Sequence, residues 1–370
     1  MPRRFHKKSR NGCNQCKERR VKCDETRPIC SACTARELPC TYRNASPRRQ
    51  FEPSPKSEPQ SPAMAAFISP KYDARHLLLM HKFSTETYKS VCGDNSDAEG
   101  WQVFIPKLAF EHEFLLHGIF ALAALHIVAT TPDSEQVIFY LETALQCNEF
   151  AFAPFREALT HLTPLNCDAV FAQSAIVAII GIALPRLNAQ HRGESFSMLE
   201  TMMTVFELLH GANKVSQISR SWRQAGIFFK YDWIRDAAMD PDMANAIARL
   251  RMLNSSIEIT DPTQHRINQE AIDSLQTSFS TFTKAPHPEP IMAWLTYANR
   301  EFVDGLRARQ PIQLLILLNW TVLLNELEPD FWWAKGCGKG LAAELLTELK
   351  DYNEKWKSVL QWPQEKVGIQ

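Results

Sequence analysis

Six cysteines within 28 residues pose the first chemical question. They fall in two copies of one spacing, C-x2-C-x6-C: Cys13, Cys16 and Cys23, then Cys30, Cys33 and Cys40. Thiolate sulfur is a soft ligand that suits Zn²⁺, and two cysteines separated by two residues wrap one metal without straining the turn between them. Six sulfurs are too many for one tetrahedral ion and too few for two separate ones. Two zinc ions that share two bridging thiolates match the number, and the repeat points to the first cysteine of each half, Cys13 and Cys30, as the bridges. One zinc then takes Cys13, Cys16, Cys23 and Cys30, and the other takes Cys13, Cys30, Cys33 and Cys40. Such a cluster is formally negative, so it approaches a polyanion only with cations around it.

Those cations are present, and they are unevenly placed. The chain of 370 residues has 41 Lys and Arg against 41 Asp and Glu, a net charge of zero. Residues 1–50 nevertheless hold 14 of the bases and four of the acids, leaving 27 bases and 37 acids in the rest. A basic head precedes an acidic body. Within the head, Lys17, Arg19, Arg20 and Lys22 fill the first cysteine half, whereas the matching positions of the second are Thr34, Arg36, Glu37 and Pro39. Geometry is duplicated to hold the metal pair, and charge is concentrated in one half. A disulfide framework is the other use of six cysteines, but nothing in "MPRRFHKKSRNG" reads as a secretory signal, so a reducing interior is expected.

The stretch resembles the fungal binuclear zinc cluster (Zn2Cys6), the DNA-binding module of a large class of fungal transcription factors. All six cysteines match, as do the basic first half, a proline two residues before the fourth cysteine (Pro28) and an aromatic two residues after the last (Tyr42). The resemblance implies a short helix starting near the first cysteine, a CGG-type triplet as target, Arg19 and Arg20 at base edges, and Lys17 and Lys22 on phosphates. Arginine bonds a guanine edge in bidentate fashion. Glu18 is expected to face away from DNA or to pair with Lys22.

Three regions follow from composition: the cluster at 1–43, a tether at 44–70, and a helical regulatory domain at 71–370. Residues 41–70 hold six prolines amid Ser, Lys and Glu, a composition that packs no core and builds no coiled coil. Dimerisation therefore falls to the body. There, apolar residues recur at three- and four-residue steps, and an all-α fold is expected. Helices are expected at about 76–91, 107–129, 134–154, 167–185, 192–210, 218–239, 241–253, 264–282, 289–308, 311–327 and 339–361, with Pro132, Pro164, Pro185, Pro241, Pro311 and Pro329 between them. The apolar run at 169–184 is short for a membrane crossing and reads as a buried helix, so no span is expected.

The body offers little catalytic chemistry. His112, His117 and His126 are spaced by five and nine residues, which does not align them for a metal as i, i+4 would. "GESFS" (193–197) lacks the second glycine of a nucleophile elbow, and "KGCGKG" (335–340) reads as a turn leading into a helix. Cys92, Cys147, Cys167 and Cys337 read as small core hydrophobes, and Trp294, Trp320, Trp332 and Trp333 as core fillers. "HLLLMHKFSTETY", "WQVFIPKLAFEHEFLLHGIFALAALH" and "LEPDFWWAKGCGKG" resemble the regulatory domain of the fungal sterol uptake control proteins. That resemblance implies a homodimer through the helical domain and a sterol or other lipophilic effector. The expectation is a nuclear transcription factor of RNA polymerase II genes, not an enzyme, with two Zn²⁺ ions and double-stranded DNA as partner.

Overall fold

Acid and amide side chains standing just ahead of apolar runs mark where helices begin in this chain. Asp73, Asp133, Asp240 and Asn299 each accept a hydrogen bond from a backbone N–H in the first turn that follows, satisfying donors a helix start leaves open. The computed structural model describes residues 11–36, 38–42, 72–92, 98–219, 239–284 and 288–369. The chain divides into two units, residues 1–69 and 70–370. The expected tether at 44–70 and the expected helix beyond residue 219 lie outside the described residues.

The smaller unit contains two short helices, α1 (Asn14–Glu18) and α2 (Ser31–Thr34). The larger is all-α, with no strand among the described residues. Its first part runs α3 (Ala74–Thr85), α4 (Ile105–Ala109), α5 (Glu113–Thr130), α6 (Ser134–Thr160), α7 (Cys167–Arg192) and α8 (Met198–Ser219). Its second runs α9 (Pro241–Ser255), α10 (Pro262–Lys284), α11 (Pro288–Tyr297), α12 (Arg300–Arg307), α13 (Pro311–Glu326), α14 (Cys337–Glu348) and α15 (Asn353–Val367).

Two helices apolar on nearly every side become the centres of these two groups. α5 packs against α3, α6 and α7, and α13 packs against α10, α14 and α15. A helix without a polar face is stable only when surrounded. α5 and α7 are long and apolar enough to cross a membrane, but most of each is buried inside the unit, as expected for the 169–184 run. α8 touches α7 of the first group and α11, α12 and α14 of the second. Its start is held from a distance: Glu344 of α14 accepts from the backbone N–H groups of Met198 and Leu199 and from Ser197 Oγ.

Several expected boundaries moved. Pro185 was expected to end a helix, yet α7 continues to Arg192, because one missing hydrogen bond costs less than exposing Leu187 and Ala189, both buried beyond it. The span 289–308 breaks at Asn299, whose side chain accepts from the Phe302 N–H at 2.7 Å and starts α12. The span 339–361 breaks at a 3₁₀ turn, Lys350–Tyr352. The helix expected from residue 107 starts at Glu113, after the separate α4.

The tryptophans fill the core and attach it to backbone. Trp294, Trp320 and Trp333 are fully buried, and their Nε1 groups donate to the carbonyls of Ala271, Ile291 and Ser90. Trp332 donates to Ser90 Oγ at 2.7 Å and stacks on His126, whose Nδ1 lies 2.9 Å from Thr87 Oγ1. Cys147, Cys167 and Cys337 are buried, and Cys92 is half-buried.

"KGCGKG" starts α14, and its glycines answer to geometry. Gly336 has φ +71°, and a Cβ on Gly338 would stand 2.6 Å from the backbone nitrogen of Asn325. Gly338→Ala is therefore expected to destabilise the protein by about 1–3 kcal/mol in urea unfolding; unchanged stability would mean that α13 and α14 are not in this close contact. Burial, reinforced by the nearby Lys82, lowers the pKa of His126 to about 4. A histidine that stays neutral in the fold contributes stability above its ordinary pKa of about 6.5, lost as pH falls from there towards 4. His126→Gln is expected to flatten the melting temperature across that window, and an unaltered pH profile would contradict the assignment.

Candidate metal centre and nucleic-acid interface

A cysteine that must both bind a metal and open a helix turns its side chain back on the turn it starts. Cys13 is the N-cap of α1 (φ −60°, ψ 158°), and Cys30 is the N-cap of α2 (φ −73°, ψ 151°). The next cysteine of each half, Cys16 or Cys33, lies within the helix, so one turn brings two sulfurs together. The third arrives from the chain that follows and is fixed by the same bond in both halves. The Cys13 N–H donates to Cys23 Sγ and the Cys30 N–H to Cys40 Sγ, each at 3.4 Å.

The six sulfurs form the two expected sets. The atoms of Cys13, Cys16, Cys23 and Cys30 lie within 4.8 Å of one another, as do those of Cys13, Cys30, Cys33 and Cys40. Cys13 to Cys30 and Cys13 to Cys33 are 3.7 Å apart, and Cys16 to Cys30 is 3.6 Å. A tetrahedral ion with Zn–S bonds of ~2.3 Å has S···S edges of ~3.8 Å, so the spacing is that of two zinc tetrahedra sharing the Cys13–Cys30 edge.

Electrostatics lead to the same conclusion. Burial opposes ionisation of Cys13, Cys16, Cys23, Cys30 and Cys33, but Cys13 receives the Cys16 N–H and neighbouring thiols and falls to about 6. Burial and donation to those neighbours push Cys33 up to about 12 and Cys16 up as well. Protons are thus shared unequally among crowded sulfurs. Making all six thiolates requires compensating cations inside the cluster, and two Zn²⁺ supply four charges for six.

Of the predicted DNA contacts, Lys17, Arg20 and Lys22 are exposed, and Arg19 is half-buried with its Nη1 enclosed. Neither arginine lies on the helix. Arg19 caps α1 at its C-terminal end, and Arg20 takes a left-handed φ of 55° that turns the chain off the axis. α1 ends at Glu18, so Glu18 and Lys22 do not share the helical frame that an i, i+4 pair needs.

The fungal Zn(2)-Cys(6) binuclear cluster domain family matches residues 11–49. That segment is a fungal binuclear zinc cluster domain. A domain of this family binds two zinc ions, and Cys13, Cys16, Cys23, Cys30, Cys33 and Cys40 are the residues placed to hold them. The chain is 35% identical to the Zn(2)-C6 fungal-type transcription factor afumD of Aspergillus fumigatus over 48% of each protein, so it spans about half the length of that relative. A Zn(2)-C6 fungal-type transcription factor of Gibberella zeae is 24% identical over 98% of this chain and 86% of its own. Sterol uptake control protein 2 of Candida albicans is 62% identical over 40 residues, 11% of this chain and 6% of that protein.

Several polar residues support the zinc cluster, and Asp24 and Thr41 among them were not singled out from sequence. Asp24 accepts from the Ser31 N–H at 3.2 Å and from Thr26 Oγ1 at 2.7 Å, and the Ser31 and Thr26 bonds hold its carboxyl down at about 2. It caps α2, where Cys30 makes no cap bond of its own. Thr41 binds the other half back: its carbonyl accepts from the Asn14 N–H at 2.7 Å and its N–H donates to Gln15 Oε1 at 2.8 Å. Tyr42 donates to the Thr26 carbonyl at 2.9 Å, with the Arg27 guanidinium over its ring. Asp24 and Thr41 each follow the last cysteine of a half, and that symmetry was the available signal.

Shared bridges give a sharp expectation for zinc stoichiometry. In native mass spectrometry, the full chain carries two zinc ions, Cys16→Ala retains at most one, and Cys13→Ala retains none. A Cys13→Ala protein that still held two would rule out Cys13 as a bridge.

Proposed function

We propose that the protein is a nuclear, sequence-specific DNA-binding regulator of transcription from RNA polymerase II genes. The observation that carries this reading is the pairing of a zinc cluster with exposed cations concentrated in one half: Lys17, Arg20 and Lys22 lie between Cys16 and Cys23, while Arg36 is the one base between Cys33 and Cys40. A cluster with six thiolates needs those cations before it approaches phosphate. Double-stranded DNA is the partner that a rigid, one-sided cationic surface of this size fits. A relative matched over 48% of the chain and another over nearly the whole of it carry transcription factor names, which favours a regulator over an enzyme.

In this reading Arg20 reads a guanine edge of a CGG-type triplet. It is exposed on the turn beyond α1, whereas Arg19 is half-buried, so Arg19 acts as the secondary base contact. Lys17 and Lys22 hold phosphates. The helical body provides the homodimer contact and takes a lipophilic effector, of which a sterol is one. The likeness to Sterol uptake control protein 2 lies within 40 residues, so it favours a shared mode of DNA recognition more than a shared ligand.

Selection of sites from random duplex by the full-length protein is expected to enrich CGG-type triplets, in pairs if the body dimerises on DNA; no enrichment would sink the reading. On the selected site Arg20→Ala is expected to cost about 1–3 kcal/mol and to relax preference at one base, whereas Lys17→Ala weakens all sequences alike and lowers the salt slope by about 1. Equal losses by Arg20→Ala on selected and scrambled duplex would contradict the base-reading role.

A further inference from the structure

The two cysteine halves make the same backbone bond ahead of their third cysteine and then treat the side chain on it differently. The Val21 N–H donates to the Cys16 carbonyl at 3.0 Å, and the Leu38 N–H donates to the Cys33 carbonyl at 3.1 Å. Each of the two residues stands two positions before the last cysteine of its half. Leu38 packs, partly buried, against the sulfur cluster, where an apolar side chain in so small a unit finds shelter from water. Val21 does not join it and is 42% exposed.

A single exposed apolar residue is ordinary on a protein surface. The neighbours of Val21 set it apart. It lies directly between Arg20 and Lys22, both exposed, in the half where the cations concentrate. Its backbone is fixed by the bond to Cys16 and by Cys23 two residues on, and a β-branched side chain has few rotamers to lose, so ordering it against a partner costs little. Ile29 is also exposed, but its chain neighbours are Pro28 and Cys30 and not cations.

Once Arg20 engages a base edge and Lys22 a phosphate, the valine between them is carried to the same face of the duplex. Phosphate oxygens offer an apolar group nothing. The major groove does offer it something, because thymine presents its C5 methyl there and apolar side chains read that methyl by contact.

We propose that Val21 is a specificity-determining residue, which reads the C5 methyl of a thymine in a base pair flanking the CGG-type triplet. Its role rests on the DNA-reading function proposed above for the cluster, and it extends the recognised sequence beyond the triplet by a contact that needs no hydrogen bond.

Deoxyuridine in place of thymine tests the contact, because it removes the methyl and leaves the pairing edge intact. Site selection with the full-length, zinc-loaded protein is expected to enrich a T·A pair beside the triplet. Replacing that thymine by deoxyuridine is expected to weaken binding about 4-fold, the effect of one methyl group no longer taken out of water. Val21→Ala is expected to bind the thymine and deoxyuridine duplexes with equal affinity while it keeps two zinc ions and the preference for the triplet. Ile29→Ala is expected to discriminate between them as the unaltered protein does. No enrichment of thymine beside the triplet, equal affinity of the unaltered protein for the two duplexes, discrimination that survives Val21→Ala, or discrimination lost in Ile29→Ala would each overturn the assignment. A duplex with a scrambled triplet, titrated alongside, separates this inference from the reading beneath it. Preference for the triplet without discrimination of the methyl counts against Val21 alone, whereas no preference for the triplet counts against the DNA-reading function and overturns the role of Val21 with it.

Discussion

Six sulfurs confined to two overlapping tetrahedra are the constraint from which the functional unit follows. Too short to bury a sizeable apolar core, residues 11–42 owe their geometry to ligands that repel one another when ionised. Backbone N–H groups aimed at Cys13, Cys23 and Cys40 ease that repulsion, and a shared pair of divalent ions removes most of it. Once the metal pair sets the positions of α1 and α2, short-range polar contacts complete the fold. Asp24 caps α2, and Thr41 fastens the second half to the first.

The larger unit obeys the opposite rule. Its stability comes from apolar area removed from water, organised around α5 and α13, and its polar groups are arranged so that burial strands few of them. The indole nitrogens of Trp294, Trp320 and Trp333 reach carbonyls, and Glu344 satisfies the start of α8. Gln173 and Gln313 depart from that arrangement with both amide atoms, and Asn319 Oδ1 and the Trp356 and Trp362 indole nitrogens depart from it singly.

The metal centre was legible in the sequence because ligand spacing is a direct statement of geometry. C-x2-C-x6-C repeated gives both tetrahedra and the bridging pair without knowledge of the helices. The all-α class was legible from periodicity, and the burial of α5 and of residues 169–184 from their lack of a polar face. Boundaries were less so. Pro185 reads as a stop when only local chemistry is weighed, but burial of Leu187 and Ala189 carries α7 past it. Asn299 reads as one polar residue in a long helix, yet its side chain starts a new one. The placement of Arg19 and Arg20 beyond α1 depends on one left-handed residue, for which arginine gives no signal. The cavity lined by α6, α7 and α8 depends on how three consecutive helices pack, and no local pattern announces that.

The central claim is that two zinc ions share the Cys13 and Cys30 thiolates and thereby build the surface that carries Lys17, Arg20 and Lys22. Zinc-edge X-ray absorption on the full-length protein tests it most directly. The account predicts a shell of four sulfurs at about 2.3 Å with no nitrogen or oxygen, and a second zinc within about 3.5 Å of the first. A mixed shell, or a zinc ion with no metal neighbour, would contradict it.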